Sequence, residues 1–126
     1  MKYTLLASFI WLGSMTSLAQ ADFKFDKTEH DFGSVVEKDD TLWCEFKFKN
    51  VGVEPLIISD IKTACECTLA DFSKKPVMPG QYGIVKAGYK YKGKPGNFNK
   101  ALTIMANTVP AVTMVSIKGV ILEQKK

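Results

Sequence analysis

The feature that most constrains this chain is the alternation of apolar and polar residues along most of its length. Across 41–50, Leu42, Cys44, Phe46 and Phe48 fall on one parity, and Glu45, Lys47 and Lys49 on the other. A side-chain period of two belongs to a β-strand with one face on a core and the other in water. The pattern returns over 84–91, where Val85, Ala87, Tyr89 and Tyr91 point inward and Lys86 and Lys90 outward, and again through Leu102, Ile104 and Ala106. In the last run the apolar parity changes between Met114 and Val115, after which Val115, Ile117, Gly119 and Ile121 share a face. That slip predicts a bulge or a crossover between sheets. A shorter, more apolar strand starts at Leu56, and no window has helical periodicity long enough to compete.

Turn signals separate these runs. Pro79-Gly80 and Pro95-Gly96 fit type II turns, with proline setting φ at the first central position and glycine taking φ > 0 at the second. Asn50-Val51-Gly52 and Gly33 punctuate the earlier part. Strands are expected near 23–25, 32–36, 41–50, 56–62, 84–91, 100–106 and 112–122. Seven short antiparallel strands with regular turns predict an all-β, immunoglobulin-like sandwich. A small barrel of the same length satisfies the alternation equally.

The first residues read as an address. A basic tip around Lys2 precedes the uncharged apolar stretch 5–13, then a small and polar run ending in Ala19-Gln20-Ala21. That is the layout of a secretory signal peptide with an A-x-A site. Only 19 uncharged residues separate Lys2 from Asp22, and Ser14, Thr16, Ser17 and Gln20 dilute them. A spanning helix needs about 20 predominantly apolar residues, so the expectation is a leader over 1–21 and a domain over 22–126. Cleavage after Ala19 is the open alternative. No cysteine precedes Cys44 to accept a lipid, so the exported product is expected to be soluble, periplasmic or extracellular, with no transmembrane anchor.

Several segments in order carry a resemblance. They are Phe23-Lys24-Phe25-Asp26, His30-Asp31-Phe32-Gly33, Phe46 to Gly52, Pro55-Leu56-Ile57-Ile58, Cys65-Glu66-Cys67-Thr68, Pro76 to Gly80, Gly93 to Lys100, Asn107 and Lys118-Gly119-Val120. Together, over about 23–122, they resemble the DUF1573 family of bacterial exported proteins, common in the Bacteroidetes. The resemblance implies an Ig-like sandwich similar to ASH and MSP-type domains and an envelope location, and no activity. The family pattern at the cysteine pair is usually Cys-Gly-Cys-Thr, and Glu66 replaces its glycine. Either a loop geometry needing φ > 0 is altered, or the segment is extended and Glu66 points away from its neighbours. The second is favoured.

The cysteines are the sole candidate chemistry. In an oxidising compartment three cysteines form at most one intramolecular bridge. Two residues apart on a strand, Cys65 and Cys67 would need a distorted backbone to bridge each other. A bond from inward-facing Cys44 to Cys65 or Cys67 would instead tie two strands together. Two further uses are a thiol-exchange pair and a Cu(I) or zinc site on Cys65 and Cys67 with His30 or Cys44 as third ligand. A Cys–His hydrolase would require His30, the single histidine, to approach the pair and a third group to orient it. Trp43 sits out of phase with its strand's inward set and is expected on the outer face, covering an edge or serving an interface.

All 17 basic residues are lysine, so no guanidinium fork exists to read guanine or grip phosphate, and a nucleic-acid partner is not expected. The expected function is a non-enzymatic, exported binding module without a cofactor, acting on another envelope protein or a polymer, for example by adding a partner's strand to an open edge. The alternative is a periplasmic thiol-redox or copper/zinc protein built on Cys65 and Cys67.

Overall fold

The computed structural model describes residues 20–38 and 41–123. The apolar stretch and basic tip of the expected leader lie outside them. Eight strands form: β1 (Phe23–Phe25), β2 (Glu29–Val36), β3 (Thr41–Asn50), β4 (Ile58–Thr63), β5 (Thr68–Phe72), β6 (Tyr82–Lys90), β7 (Gly96–Ala106) and β8 (Val112–Leu122). They make two four-stranded sheets, ordered β1-β3-β6-β5 and β2-β8-β7-β4. This is the expected sandwich, with one more strand than expected and one pair, β2 with β8, running parallel.

Alternation becomes the core. The first sheet contributes Phe46, Phe48, Val85, Ala87 and Tyr89, and the second Leu102, Ile104, Val115, Ile117 and Ile121, all buried. Tyr89 and Phe98 stack at 4.1 Å between ring centroids. The expected slip in β8 does not occur. β7 and β8 pair without interruption from Gly96↔Ile121 to Met105↔Val112. Val112 and Met114 simply face outward, 43% and 57% exposed. Their apolar character imitated a change of parity. Register shifts fall instead in β2, between Asp31 and Ser34, and in β4, between Ile58 and Asp60.

Of the two proline–glycine turns, one forms as expected. Gly80 has φ 81° and Gln81 N–H donates to the Met78 carbonyl at 3.0 Å, a type II turn. Between β6 and β7 the turn forms earlier, where Lys94 N–H reaches the Tyr91 carbonyl at 2.8 Å around Gly93. Gly96 already belongs to β7.

Asn50 ties the base of the sandwich together. It is fully buried at the end of β3. Its amide donates to the carbonyls of Glu54 (2.7 Å) and Val77 (2.9 Å), and its oxygen accepts from the N–H groups of Gly52 (3.0 Å) and Asp22 (3.3 Å). Four bonds saturate a primary amide's donors and its two acceptor sites.

Candidate functional site

The cysteine pair lies in the connection between β4 and β5, the strands that end each sheet on the same side of the sandwich. Cys65 and Cys67 are bonded to each other, with Cα atoms 5.3 Å apart, inside the span a disulfide needs. Of the pairings the sequence leaves open, the bridge from Cys44 does not form, and the favoured extended segment is replaced by a turn. Residues 64–67 turn: Thr68 N–H and the Thr63 hydroxyl both donate to the Cys65 carbonyl at 3.2 Å. Curvature shortens a distance that a strand would hold near 6.6 Å. Glu66 is exposed within this turn, and no non-glycine residue among those described has positive φ, so its backbone does not require the family's glycine.

Cys44 cannot reach the pair. It is opposite Ala87, which is opposite Ala70 on β5, so β6 intervenes and about 9–10 Å separates the strands. Cys44 is a free, buried thiol, and burial pushes its pKa up to about 11, away from the reactive thiolate. Cys67 is also buried and Cys65 half-buried. The Thr68 hydroxyl lies 3.7 Å from the Cys65 sulfur and 3.9 Å from that of Cys67.

His30 is on β2, at the opposite edge of the second sheet from β4. Three strand spacings, about 14 Å, separate those edges. Its ring sits edge-on to Phe32 at 4.5 Å, and its Nδ1 lies 2.6 Å from the Lys27 ammonium. Burial, then the Lys27 charge, holds the imidazole below its ordinary value, with Asp31 opposing them. The Cys–His arrangement and the three-ligand set are thus not brought together. Among the described residues, no three His, Cys, Asp or Glu side chains cluster as a metal site would require.

An exposed surface of aromatic and charged side chains lies elsewhere, on the outer face of β3, β6 and β5. Register places Trp43 opposite Gly88, and Gly88 opposite Leu69. Two residues along, about 7 Å, Glu45, Lys86 and Asp71 form a second row across the same strands. The indole lies against Gly88: a Cβ there would come within 2.8 Å of Cε3 and Cζ3. Only glycine lets the ring lie this close to the sheet, yet Trp43 remains 53% exposed. Trp43, Glu45, Asp71 and Lys86, with Cys44, line a surface cleft of about 520 Å³. A second cleft of about 220 Å³ continues from Asp71 and Lys86 to Phe72, Ser73 and Ile84. Farther along the face, Tyr82 is 57% exposed with the Lys47 ammonium 4.6 Å from its ring centroid. Sequence parity placed Trp43 outside. The row beside it is not legible in the sequence, because β5 lacks clear alternation and the register that aligns Asp71 with Lys86 is nonlocal.

Comparison with solved structures supports the fold. A protein of unknown function from Porphyromonas gingivalis W83 superposes with TM-score 0.70 at 18% identity, covering 81% of this chain and 48% of that one. This chain therefore spans about half the length of that relative. The ASH/PapD-like domain 7 of human CEP192 superposes with TM-score 0.67 at 10% identity, with 99% of each chain covered. The secreted serine protease VesC from Vibrio cholerae matches with TM-score 0.58 at 13% identity over 86% of this chain but only 24% of its own. At such identities these likenesses concern the fold alone. No curated protein matches by sequence. The family model described as protein of unknown function (DUF1573) matches residues 23–121. The chain belongs to the DUF1573 family, with an ASH/PapD-like, Ig-like sandwich as its fold.

Proposed function

We propose that this chain is an exported, non-enzymatic binding module of the bacterial envelope, and that it engages a polysaccharide through the outer face of β3, β6 and β5. The observation that carries this reading is the exposed Trp43 indole held flat on Gly88 beside the Glu45–Lys86–Asp71 row. An exposed aromatic plane suits the apolar C–H face of a pyranose ring. Adjacent carboxylates and an ammonium suit its hydroxyls, which both donate and accept. Among the described residues those three side chains make no ion pair with one another, so their hydrogen-bonding capacity is available to a ligand. The cleft's volume of about 520 Å³ falls within the range of small-ligand pockets, and its lining sets one aromatic ring beside three charged groups. The cysteines and the histidine give no Cys–His pair among the described residues: Cys44 is buried, and His30 stands across the sheet from the cysteine pair.

The test is native affinity electrophoresis of the full chain in gels containing soluble β-glucan, mannan or chitosan. Retardation by at least one polymer, lost in Trp43→Ala, is the expected result. No retardation, or retardation unchanged in Trp43→Ala, overturns the assignment of the face. Turnover of a thiol or ester substrate that disappears in Cys65→Ser overturns the non-enzymatic reading.

A second reading is favoured by the Cys65–Cys67 bond, which holds two oxidised sulfurs at a turn with Cys65 half-buried. Attack by a partner thiolate on the Cys65 sulfur would form a mixed disulfide and release Cys67 as a thiolate beside the Thr68 hydroxyl. A mixed disulfide with glutathione that forms on the wild type and not on Cys65→Ser would support it. A pair that stays unexchanged would remove it.

A further inference from the structure

We propose that the leader is removed between Ala19 and Gln20, so that the exported protein begins at Gln20. This rests on the export reading above but adds a processing site that the sequence leaves ambiguous. Ser17-Leu18-Ala19 and Ala19-Gln20-Ala21 both offer small residues at the two positions a leader site needs.

The fold distinguishes them. The pairing of β1 with β3 starts at Phe23↔Asn50 and continues N-terminally in the same register. Val51 N–H donates to the Asp22 carbonyl and Val53 N–H to the Gln20 carbonyl, each at 3.0 Å. Between them Ala21 is 2% exposed, belongs to the hydrophobic core and bridges Thr108. Gly52 leaves room for the segment: a Cβ on it would collide with the Gln20 carbonyl oxygen and lie 2.7 Å from the Ala21 Cα. Asn50 then fixes the next residue through the Asp22 N–H. Gln20 and Ala21 are thus an extension of β1, built into the sandwich from both sides. A cut after Ala21 would discard a core residue, the acceptor of Val53 N–H and the reason for a glycine at 52. A cut after Ala19 keeps all three.

The reaction is hydrolysis. Water adds across the Ala19–Gln20 peptide, the C–N bond breaks, Ala19 keeps the carboxylate and Gln20 gains the amine.

The experiment expresses the full chain in a Gram-negative host and measures intact and peptide masses of the protein recovered from the periplasm. A first residue of Gln20, with or without loss of ammonia from an N-terminal glutamine, is expected. A first residue of Asp22 overturns the inference and leaves the export reading standing. An uncut chain retained in the cytoplasm overturns both. A second variant adds an independent arm. Ser17→Glu puts a charge three residues before the proposed cut and leaves Ala19-Gln20-Ala21 intact. It should block processing or move it to Ala21, whereas a product beginning at Asp22 from wild type and variant alike would overturn the proposed site.

Discussion

Replacing Asn50 by alanine should be among the most damaging single changes in the described core, although it removes only a small side chain. Asn50 makes four hydrogen bonds, three of them at 3.0 Å or shorter, to backbone groups at 52, 54 and 77. A hydrogen bond contributes about 0.5–1.5 kcal/mol net, and a buried partner left unsatisfied costs about 1–3 kcal/mol. Three strong bonds lost from a fully buried position give a loss of about 3–5 kcal/mol, a large share of the roughly 5–15 kcal/mol that stabilises an ordinary domain. Urea unfolding of the full chain, followed by far-ultraviolet circular dichroism, measures this directly. With a slope of about 1 kcal/mol per molar for a chain of this size, the midpoint should fall by about 3 M or more, or the variant should not fold. Asn50→Asp is the discriminating control. It retains an acceptor for Gly52 N–H but presents a carboxylate oxygen to the Glu54 and Val77 carbonyls. It should therefore be at least as unstable as alanine at pH 7, and recover partly as the pH falls and the acid gains a proton to donate. A midpoint shift under about 1 M for both variants would refute the view that this amide network holds the base of the sandwich.

Four further outcomes follow from named groups. His30 has a depressed pKa, so the unfolded chain binds the proton first: its contribution is present above about pH 6.5 and lost as the pH falls below it. His30→Gln should therefore flatten the decline in melting temperature between pH 7 and 5.5, and an unchanged slope would contradict the shift. Cys44, buried with its pKa near 11, should resist iodoacetamide in the native protein at pH 8 and take one label in urea without reductant, whereas rapid native labelling would show an exposed thiol. Cys65 and Cys67 close a ring of only three residues, so Cys65→Ser/Cys67→Ser should cost no more than about 1–2 kcal/mol by urea unfolding, and a loss above about 4 kcal/mol would show a larger structural role. Gly88→Ala would place a methyl group against the indole, so it should lift Trp43 off β6 and weaken polysaccharide retardation by about tenfold, a test that spares every polar group in the cleft.

The sequence was most informative where local pattern and burial coincide. Phe46, Phe48, Val85, Ala87 and Tyr89 were legible as inward residues because β3 and β6 are central, with one dry face and one wet face. β5 was not legible: Thr68 is buried, Leu69 and Ala70 are both half-buried, and five residues give alternation little room. Val112 and Met114 misled because apolar side chains on an outer face look like a slipped register. Strand geometry disfavours a Cys65–Cys67 bond, but the chain turns there and brings the two together. Asn50 read as a turn residue, since nothing local reveals that its partners include Val77 and Asp22. For the candidate site, parity placed Trp43 outside, but its position over Gly88 and beside Asp71 depends on two pairings between distant strands.

The central claim is that the face around Trp43 is the binding surface. Amide and indole resonances of the isotopically labelled full chain, followed while a soluble polysaccharide that retards it is added, test this most directly. The account predicts concentration-dependent shifts centred on the Trp43 indole N–H, Gly88, Lys86 and Asp71, with the Cys65–Cys67 turn and His30 unmoved. Shifts centred on the cysteine turn, or binding that leaves Trp43 and Gly88 unchanged, would contradict it.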